Sequence, residues 1–316
     1  MTTAGPAGRL MLLDAASMYF RAYFGVPESM TAPDGSPVNA IRGFLDMTAR
    51  LVASRKPTHL VACLDLDWRP QFRVEAIPSY KSHRLAPGST RAEETPETLA
   101  PQVPILLDVL AALGLATAGA NGFEADDVIG TLADRAAGPV EVVTGDRDLF
   151  QLVRDDPPVQ ILYIARSVAK LEVLGPAEVA AKFGIPGTVY ADYAALRGDP
   201  SDGLPGVPGV GDKTAAALIT AFGSLPALLA ALDSTERTRT LAGVSPSVRA
   251  KLRAARDYLD VAPTVVLVRR DVPLPDRHTE LPSAPADAAE LVTLTDRWGL
   301  DSSVGRMLQA WRTARE

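Results

Sequence analysis

The feature that most constrains this chain is a set of three short apolar runs that each close on an aspartate: RLMLLD ending at Asp14, HLVACLD ending at Asp65 and VEVVTGD ending at Asp146. Each is rich in Leu and Val and is followed by a helical pattern. Runs of this kind read as parallel strands buried on both faces, the building blocks of an α/β fold. In an open α/β sheet the ligand crevice lies beyond the carboxyl ends of the strands, so acids placed there converge even when far apart in sequence. A single such aspartate is ordinarily a helix cap. Three together crowd like charges, which is costly unless something positive sits among them.

Two further stretches enlarge the set. GFEADDVIGTLADRAA places Glu124, Asp126 and Asp127 ahead of a helix whose Val128, Ile129, Leu132 and Ala136 follow the 3.6-residue period. The helix dipole favours acids in a first turn, but ordinary capping needs only one or two. TGDRDLFQLV then sets Asp146 and Asp148 two apart on a tight turn, and GDPSDG adds Asp199 and Asp202. No Cys or His belongs to this set, so its oxygens suit Mg2+ or Mn2+ rather than zinc. The excess of acids over the needs of one ion implies two, an arrangement that in phosphodiester hydrolysis stabilises both the attacking and the leaving oxygen.

GVPGVGDKTAAALI carries Gly206, Gly209 and Gly211 just before a helix starting near Lys213 and Thr214. Glycines let backbone N–H groups approach an anion closely, and the helix offers its positive end, so a phosphate could be held there without any base being read. Taken alone, PGVPGVG reads equally well as a plain loop between helices. A nucleotide-binding P-loop is excluded, because Lys213 follows Asp212 rather than the required glycine. Between Arg69 and Arg91 the only acid is Glu75, and WRPQFRVEAIPSYKSHR interleaves Trp68, Phe72 and Tyr80 with Arg69, Arg73, Lys81, His83 and Arg84. That mixture suits phosphates and unpaired bases, although composition alone would also fit a solvated loop. His83 reads as a surface residue.

The net charge of −6 argues at first against a nucleic-acid partner, but a carboxylate cluster in one place can mask a basic surface in another. With 316 residues, 47% of them hydrophobic, the chain is long enough for two packed regions. One cysteine, Cys63, makes neither an internal disulfide nor a zinc cluster, which fits a reducing compartment. The apolar run before Asp14 is too short for a signal sequence or a membrane span, so a cytoplasmic protein without a membrane partner is expected.

The ordered set LLDAASMYFRAYF, CLDLDWRPQFRVEAIPSYKSHR, GFEADDVIGTLA, TGDRDLFQL and GDPSDGLPGVPGVGDKTA closely resembles the flap endonucleases, including the 5′→3′ exonuclease domain of bacterial DNA polymerase I. The resemblance runs in order from about Leu12 to Phe222 and is that of a stand-alone bacterial flap endonuclease, with no polymerase segment. It implies a PIN-like, mostly parallel α/β sheet flanked by helices, a helical arch or clamp, and a C-terminal helix-three-turn-helix region. It places Asp14, Asp65, Glu124, Asp126, Asp127, Asp146, Asp148, Asp199 and Asp202 on two-metal carboxylate positions. Lys81, Arg84 and Arg73 fall on basic residues that contact the scissile phosphate beneath the arch. Tyr80 joins the DNA-binding set with Gly206, Gly209, Gly211, Lys213 and Thr214 of the hairpin, which grips duplex DNA and is expected to hold K+ on backbone carbonyls. Asp67 is a rival to Asp65; Asp65 is preferred because it ends the apolar run and lies eight residues before Arg73, a spacing seen in phage members of the family. Gly203 stands where the family usually has Asn.

Residues 1–171 are therefore expected to form the nuclease core with its arch, and 172–316 a helical DNA-binding region with the hairpin at about 196–222. SPSVRAKLRAARDYLD, with Arg249, Lys251, Arg253 and Arg256, offers a second DNA face or simply a solvated one, and PTVVLVRRDVPLPD reads as a strand and extended segment returning to the core. The expected activity is metal-dependent hydrolysis of DNA at a 5′ flap, nick or 5′ end, with an RNA primer as a further substrate, by a monomer. The alternatives are a PIN-like ribonuclease, which typically lacks the hairpin, and an inactive DNA-binding relative, which should have lost several acids.

Overall fold

Leu10, Leu12, Val61, Cys63, Val140 and Val142 pack into one buried cluster, while Met11, Leu13, Leu60, Ala62 and Val143 pack into another. Alternate residues of the same strands thus face opposite sides, and both sides are dry, as the unbroken apolar runs require. The computed structural model describes residues 8–234 and 244–316. In chain order these contain β1 (Leu10–Asp14), α1 (Ala15–Gly25), α2 (Asn39–Arg55), β2 (His59–Cys63), α3 (Gln71–Ala76), α4 (Gln102–Leu113), β3 (Ala116–Ala118), α5 (Ala125–Arg135), β4 (Val140–Thr144), β5 (Arg154–Asp155), β6 (Pro158–Tyr163) and β7 (Glu172–Leu174). There follow α6 (Pro176–Phe183), α7 (Tyr190–Arg197), α8 (Asp212–Phe222), α9 (Leu225–Asp233), α10 (Pro246–Ala254), α11 (Arg256–Val266), α12 (Ala288–Trp298) and α13 (Asp301–Arg315).

The sheet order is β3-β2-β1-β4-β6-β5, with β7 also on β6. Strands β3, β2, β1, β4 and β6 are parallel; β5 and β7 run antiparallel to β6. Leu10 is in register with His59 on one side and Val140 on the other, so β1, β2 and β4 end at a common edge. The chain builds outward from β1 through β2 to β3 and then crosses to β4 on the other side of β1, which puts the topological switch point beside β1.

Helices α1, α2 and α4 cover one face together with α12 and α13, whose Leu291, Leu294, Met307 and Trp311 share a cluster with Met11 and Leu13. The last two helices therefore complete the sheet's own layer, and β7, just past residue 171, still belongs to the sheet. Helices α5, α7, α8, α9 and α11 contribute to the other cluster. One sequence expectation is corrected: Pro263–Val266 of the PTVVLV run form the last turn of α11, because Leu259, Ala262, Val265 and Val266 bury one helical face. The extended segment beyond it does return to the sheet, where Leu60 N donates to Thr279 O and Leu281 N to Thr58 O. Between β2 and α4 the expected helical arch consists of α3 and a single turn at Ser82–Arg84.

The loop joining α7 to α8 folds so tightly that Gly206, at φ 62°, lies against Arg197 and Gly198 backbone. A Cβ there would overlap main-chain atoms in a left-handed backbone conformation. Gly206→Ala is expected to cost about 2 kcal/mol or more, read as a lower urea midpoint, whereas Gly211→Ala, with no atom within 4 Å of the added carbon, should cost under about 1 kcal/mol.

Candidate active site

Each strand-end acid is oriented by main-chain N–H groups. Asp14 caps α1, one carboxylate oxygen accepting from Ser17 N at 3.0 Å and the other from Thr144 Oγ1 at 2.7 Å. Asp65 reaches across to accept from Ala125 N at 2.6 Å, at the start of α5. Asp146 accepts from Asp148 N at 2.8 Å in a tight turn. The capping reading and the cluster reading are thus compatible: each acid is aimed by a main-chain N–H while its side chain lines common space.

That space is a cavity of about 230 Å3 lined by Asp14, Asp65, Asp126 and Asp146, with Glu124, Glu93, Trp68, Phe20, Lys81 and Arg84 completing the wall. Burial, reinforced by Asp65 and Asp146, pushes the Asp14 carboxyl up to about 7. Burial also raises Asp126 well above the usual carboxylate range, with Asp146, Asp14 and Glu124 adding to it. Asp65 is raised by burial in the same way, against the favourable pull of Lys81. Asp148 rises through burial and through Asp146, Asp202 and Asp199, and its buried Oδ1 has no hydrogen-bond partner.

Among the described residues no three Asp, Glu, Cys or His side chains converge at the spacing of one coordination shell. Such a cage is not what Mg2+ requires: it keeps several waters and is bound through one or two carboxylates plus substrate phosphate. Surplus negative charge and raised carboxyls fit a divalent cation in this cavity.

The remaining expected residues divide. Asp127 is fully buried and grips Arg73, its Oδ2 and Oδ1 accepting at 2.7 and 2.8 Å, while Oδ1 also accepts from Arg269 N at 2.8 Å. In this structure it is the buried counter-ion of Arg73 and lies outside the cavity wall. Arg73 is only 2% exposed; it also pairs with Glu124 and donates to Val265 O at 2.9 Å, so it cannot reach a phosphate. Tyr80, expected on DNA, is 3% exposed and donates its hydroxyl to Glu124 at 2.8 Å. Glu124 thus meets Arg73, Tyr80 and Lys81 at once. Burial works against the Lys81 charge, but Glu124, Tyr80 and Asp202 outweigh it and push its pKa up. Arg84 lies at the cavity, donating to Asp202 Oδ1 at 3.0 Å and Ser201 O at 2.7 Å. Asp67 does not line the cavity, and its Oδ1 accepts from Arg69 N at 3.3 Å.

Asp199 accepts from Ser201 N and Arg197 and lines a neighbouring cavity with Gly211 and Asp212; Asp202 is nearly buried beside Arg84. These two are not brought into the wall formed by the other four. In the hairpin Gly209 and Gly211 are exposed, Lys213 is exposed and Thr214 half-buried, whereas Gly206 is buried and serves backbone packing instead. Of the second basic face, Arg256 is taken by Asp233 and Asp260, and Lys251 Nζ donates to Gly209 O at 3.2 Å. Sequence reasoning missed Phe20 and Glu93; Glu93 is raised by burial, and only its place just past the basic window hinted at it.

The model of the 5′-3′ exonuclease N-terminal resolvase-like domain matches residues 9–184, and that of the 5′-3′ exonuclease C-terminal SAM fold matches 185–289. A 5′-3′ exonuclease of Streptomyces coelicolor is 56% identical over 301 residues, covering 94% of this chain and 98% of its own. One from Mycobacterium tuberculosis is 51% identical over 319 residues, covering 96% and 98%. Among solved structures, a bacteriophage T5 flap endonuclease complex with DNA and metal ions shares the fold at a TM-score of 0.61 and 18% identity, covering 98% of this chain and 100% of that one.

Three outcomes follow from the charges. Replacing Arg73 by Met strands two buried carboxylates and should cost about 3–5 kcal/mol in urea unfolding; a loss of turnover with stability intact would mean that Arg73 works on substrate after all. Asp14 has a folded pKa of about 7 against an ordinary 3.8. A raised acid stabilises the fold below its unfolded pKa, and that stabilisation is lost as pH rises through the folded value. In chelator, the thermal midpoint should therefore fall between pH 5 and 8, and divalent cation should restore it. Repulsion and burial at Asp126 outweigh the helix dipole's roughly 0.3–1 kcal/mol, so Asp126→Asn should raise the metal-free midpoint at pH 8 by about 2–4 °C. No rise would contradict the crowding.

Proposed function

The chain belongs to the 5′-3′ exonuclease family, and from that premise we propose that it hydrolyses DNA phosphodiesters near a 5′ end, at a flap or a nick, with Mg2+ or Mn2+ as the cation. The observation that carries this reading is the single cavity in which Asp14, Asp65, Asp126 and Asp146 face Lys81 and Arg84. Asp14, Asp65, Asp126 and Asp146 would hold the divalent ions, with Glu124, Asp148, Asp199 and Asp202 around them. Bound there, two such ions would activate water and stabilise the leaving oxygen.

The chain's own residues supply the rest. Lys81 sits on Glu124 and Arg84 on Asp202 at the cavity wall, where a scissile phosphate would draw both cations and find its developing charge offset. Phe20 and Trp68 offer ring faces to bases beside that phosphate. Residues 1–171, joined by Asp199 and Asp202, carry the chemistry, and the rest of 172–316 holds the duplex through exposed Gly209, Gly211 and Lys213 and half-buried Thr214, with K+ at the hairpin carbonyls as a further expected cation. We read the protein as a cytoplasmic monomer. No single described helix is long and apolar enough to cross a membrane.

Incubation with 5′-flap, nicked and blunt DNA, and with RNA of matched shape, in Mg2+, Mn2+ or chelator tests the reading. Cleavage should need metal and favour the flap and nick over blunt DNA. Asp148→Asn should lower turnover by at least about a hundredfold, the scale of losing one stabilising group. Undiminished flap cleavage by that variant, or equal cleavage of RNA, would refute the assignment.

A further inference from the structure

At the strand ends opposite the carboxylates, a cavity of about 400 Å3 lies between the sheet, α5 and the segment returning from α11, and both His59 and His278 line it. Leu10 opens β1 in register with His59 and Asp14 ends it in register with Cys63, so His59 stands four residues, about 13 Å, from the acidic edge. Leu60 N donates to Thr279 O and Leu281 N to Thr58 O, which makes His59 and Glu280 a directly opposed pair flanked, rather than joined, by hydrogen bonds. Side chains of such a pair stand at their closest. His278, two residues before Glu280, falls on the same face, its Nε2 3.7 Å from Glu280 Oε2. Asp276 lines the same cavity.

Local hydrogen bonding fixes which His59 nitrogen is free. The Thr58 hydroxyl donates to Arg9 O at 3.2 Å, so toward His59 Nδ1, 2.8 Å away, it accepts. The ring proton therefore sits on Nδ1 and Nε2 keeps its lone pair, the way metal-ligating histidines are held from behind. Burial lowers the His59 pKa, with Glu280 working against that and His278 with it, so the ring is neutral near pH 7 as a ligand must be. We infer that His59, His278 and Glu280 bind a divalent cation of the Zn2+ class, with Asp276 as a further oxygen. Two imidazoles and a carboxylate suit Zn2+, whereas the oxygen-only acids at the other edge suit Mg2+. The site is empty here, and among the described residues no three such groups stand at coordination spacing. His278 and Glu280 side chains are 80% and 67% exposed, so both are free to turn toward His59. The arginines of the wall leave room for this: Arg135 is held by the Val272 and Leu274 carbonyls, and Arg277 is exposed. A bound ion would clasp the returning segment onto β2. The site lies outside the nuclease chemistry and does not depend on it.

Calorimetric titration of the full chain with Zn2+, in excess Mg2+ to occupy the carboxylates, tests this. The His59→Gln/His278→Gln protein should bind one Zn2+ fewer than the wild type. Saturating Zn2+ should raise the thermal midpoint of the wild type by about 3–6 °C more than that of the variant. His278→Gln alone, at an exposed position that the fold does not need, should already lower Zn2+ affinity at least about tenfold, and Thr58→Val, which frees the His59 ring, by about tenfold. Equal Zn2+ stoichiometry and affinity in the wild type and both histidine variants would overturn the inference, as would a wild type that takes up no Zn2+ in excess Mg2+. Flap cleavage in Mg2+ should be the same in the wild type and in His278→Gln; a loss there would put the histidine with the nuclease chemistry and overturn the separate site.

Discussion

Parallel register is the constraint on which the site depends. Because β1 is in register with β2 and β4 and all three are buried on both faces, charged residues on these strands find room chiefly at their ends, and the carboxyl ends share one edge. Helices begin at that same edge, so main-chain N–H groups are available where the acids gather. Ser17 N, Ala125 N and Asp148 N each take one carboxylate oxygen. These bonds orient the acids but do not neutralise them, as the raised carboxyls of Asp14 and Asp126 show.

The acids therefore form two populations. Asp127 is bound to Arg73, and Glu124 meets Arg73, Tyr80 and Lys81, so both are offset within the fold. Breaking a buried pair of this kind costs far more than forming it returns, and so the pair fixes α3 against α5. Asp14, Asp65, Asp126 and Asp146 enter no ion pair among the described residues and line the open cavity instead. One population fixes the frame and the other stays available to an incoming cation.

That split marks how far the sequence was legible. The strands, their terminal acids and the hairpin were readable because each has a local signature: an unbroken apolar run, a helix start, glycines at positive φ. Whether a polar side chain is buried has no such signature. Arg73, Tyr80 and Asp127 read as surface or ligand groups from composition, yet all three are buried together because α3 packs against α11 and α5. The β-branched run at the end of α11 looked like a strand, and only its partners in the core decide for helix. His59 and His278 come from distant segments, and nothing short of the assembled fold puts them in one wall.

The loop that carries Asp199 and Asp202 is where chemistry and grip become mechanically linked. Lys81 N donates to Asp202 O at 2.9 Å, Ser79 Oγ to Gly203 O at 3.0 Å and Arg84 to Ser201 O at 2.7 Å, so the segment bearing Lys81 and Arg84 is bound to this loop at three successive residues. Gly203, at φ 73°, has Ser79 O where a Cβ would lie, which explains why this chain accepts no side chain there. The same loop runs directly into Gly206 and the hairpin. The hairpin thus continues the same stretch of backbone that sets Lys81 and Arg84, so a displacement of one is transmitted to the other through main-chain and side-chain hydrogen bonds.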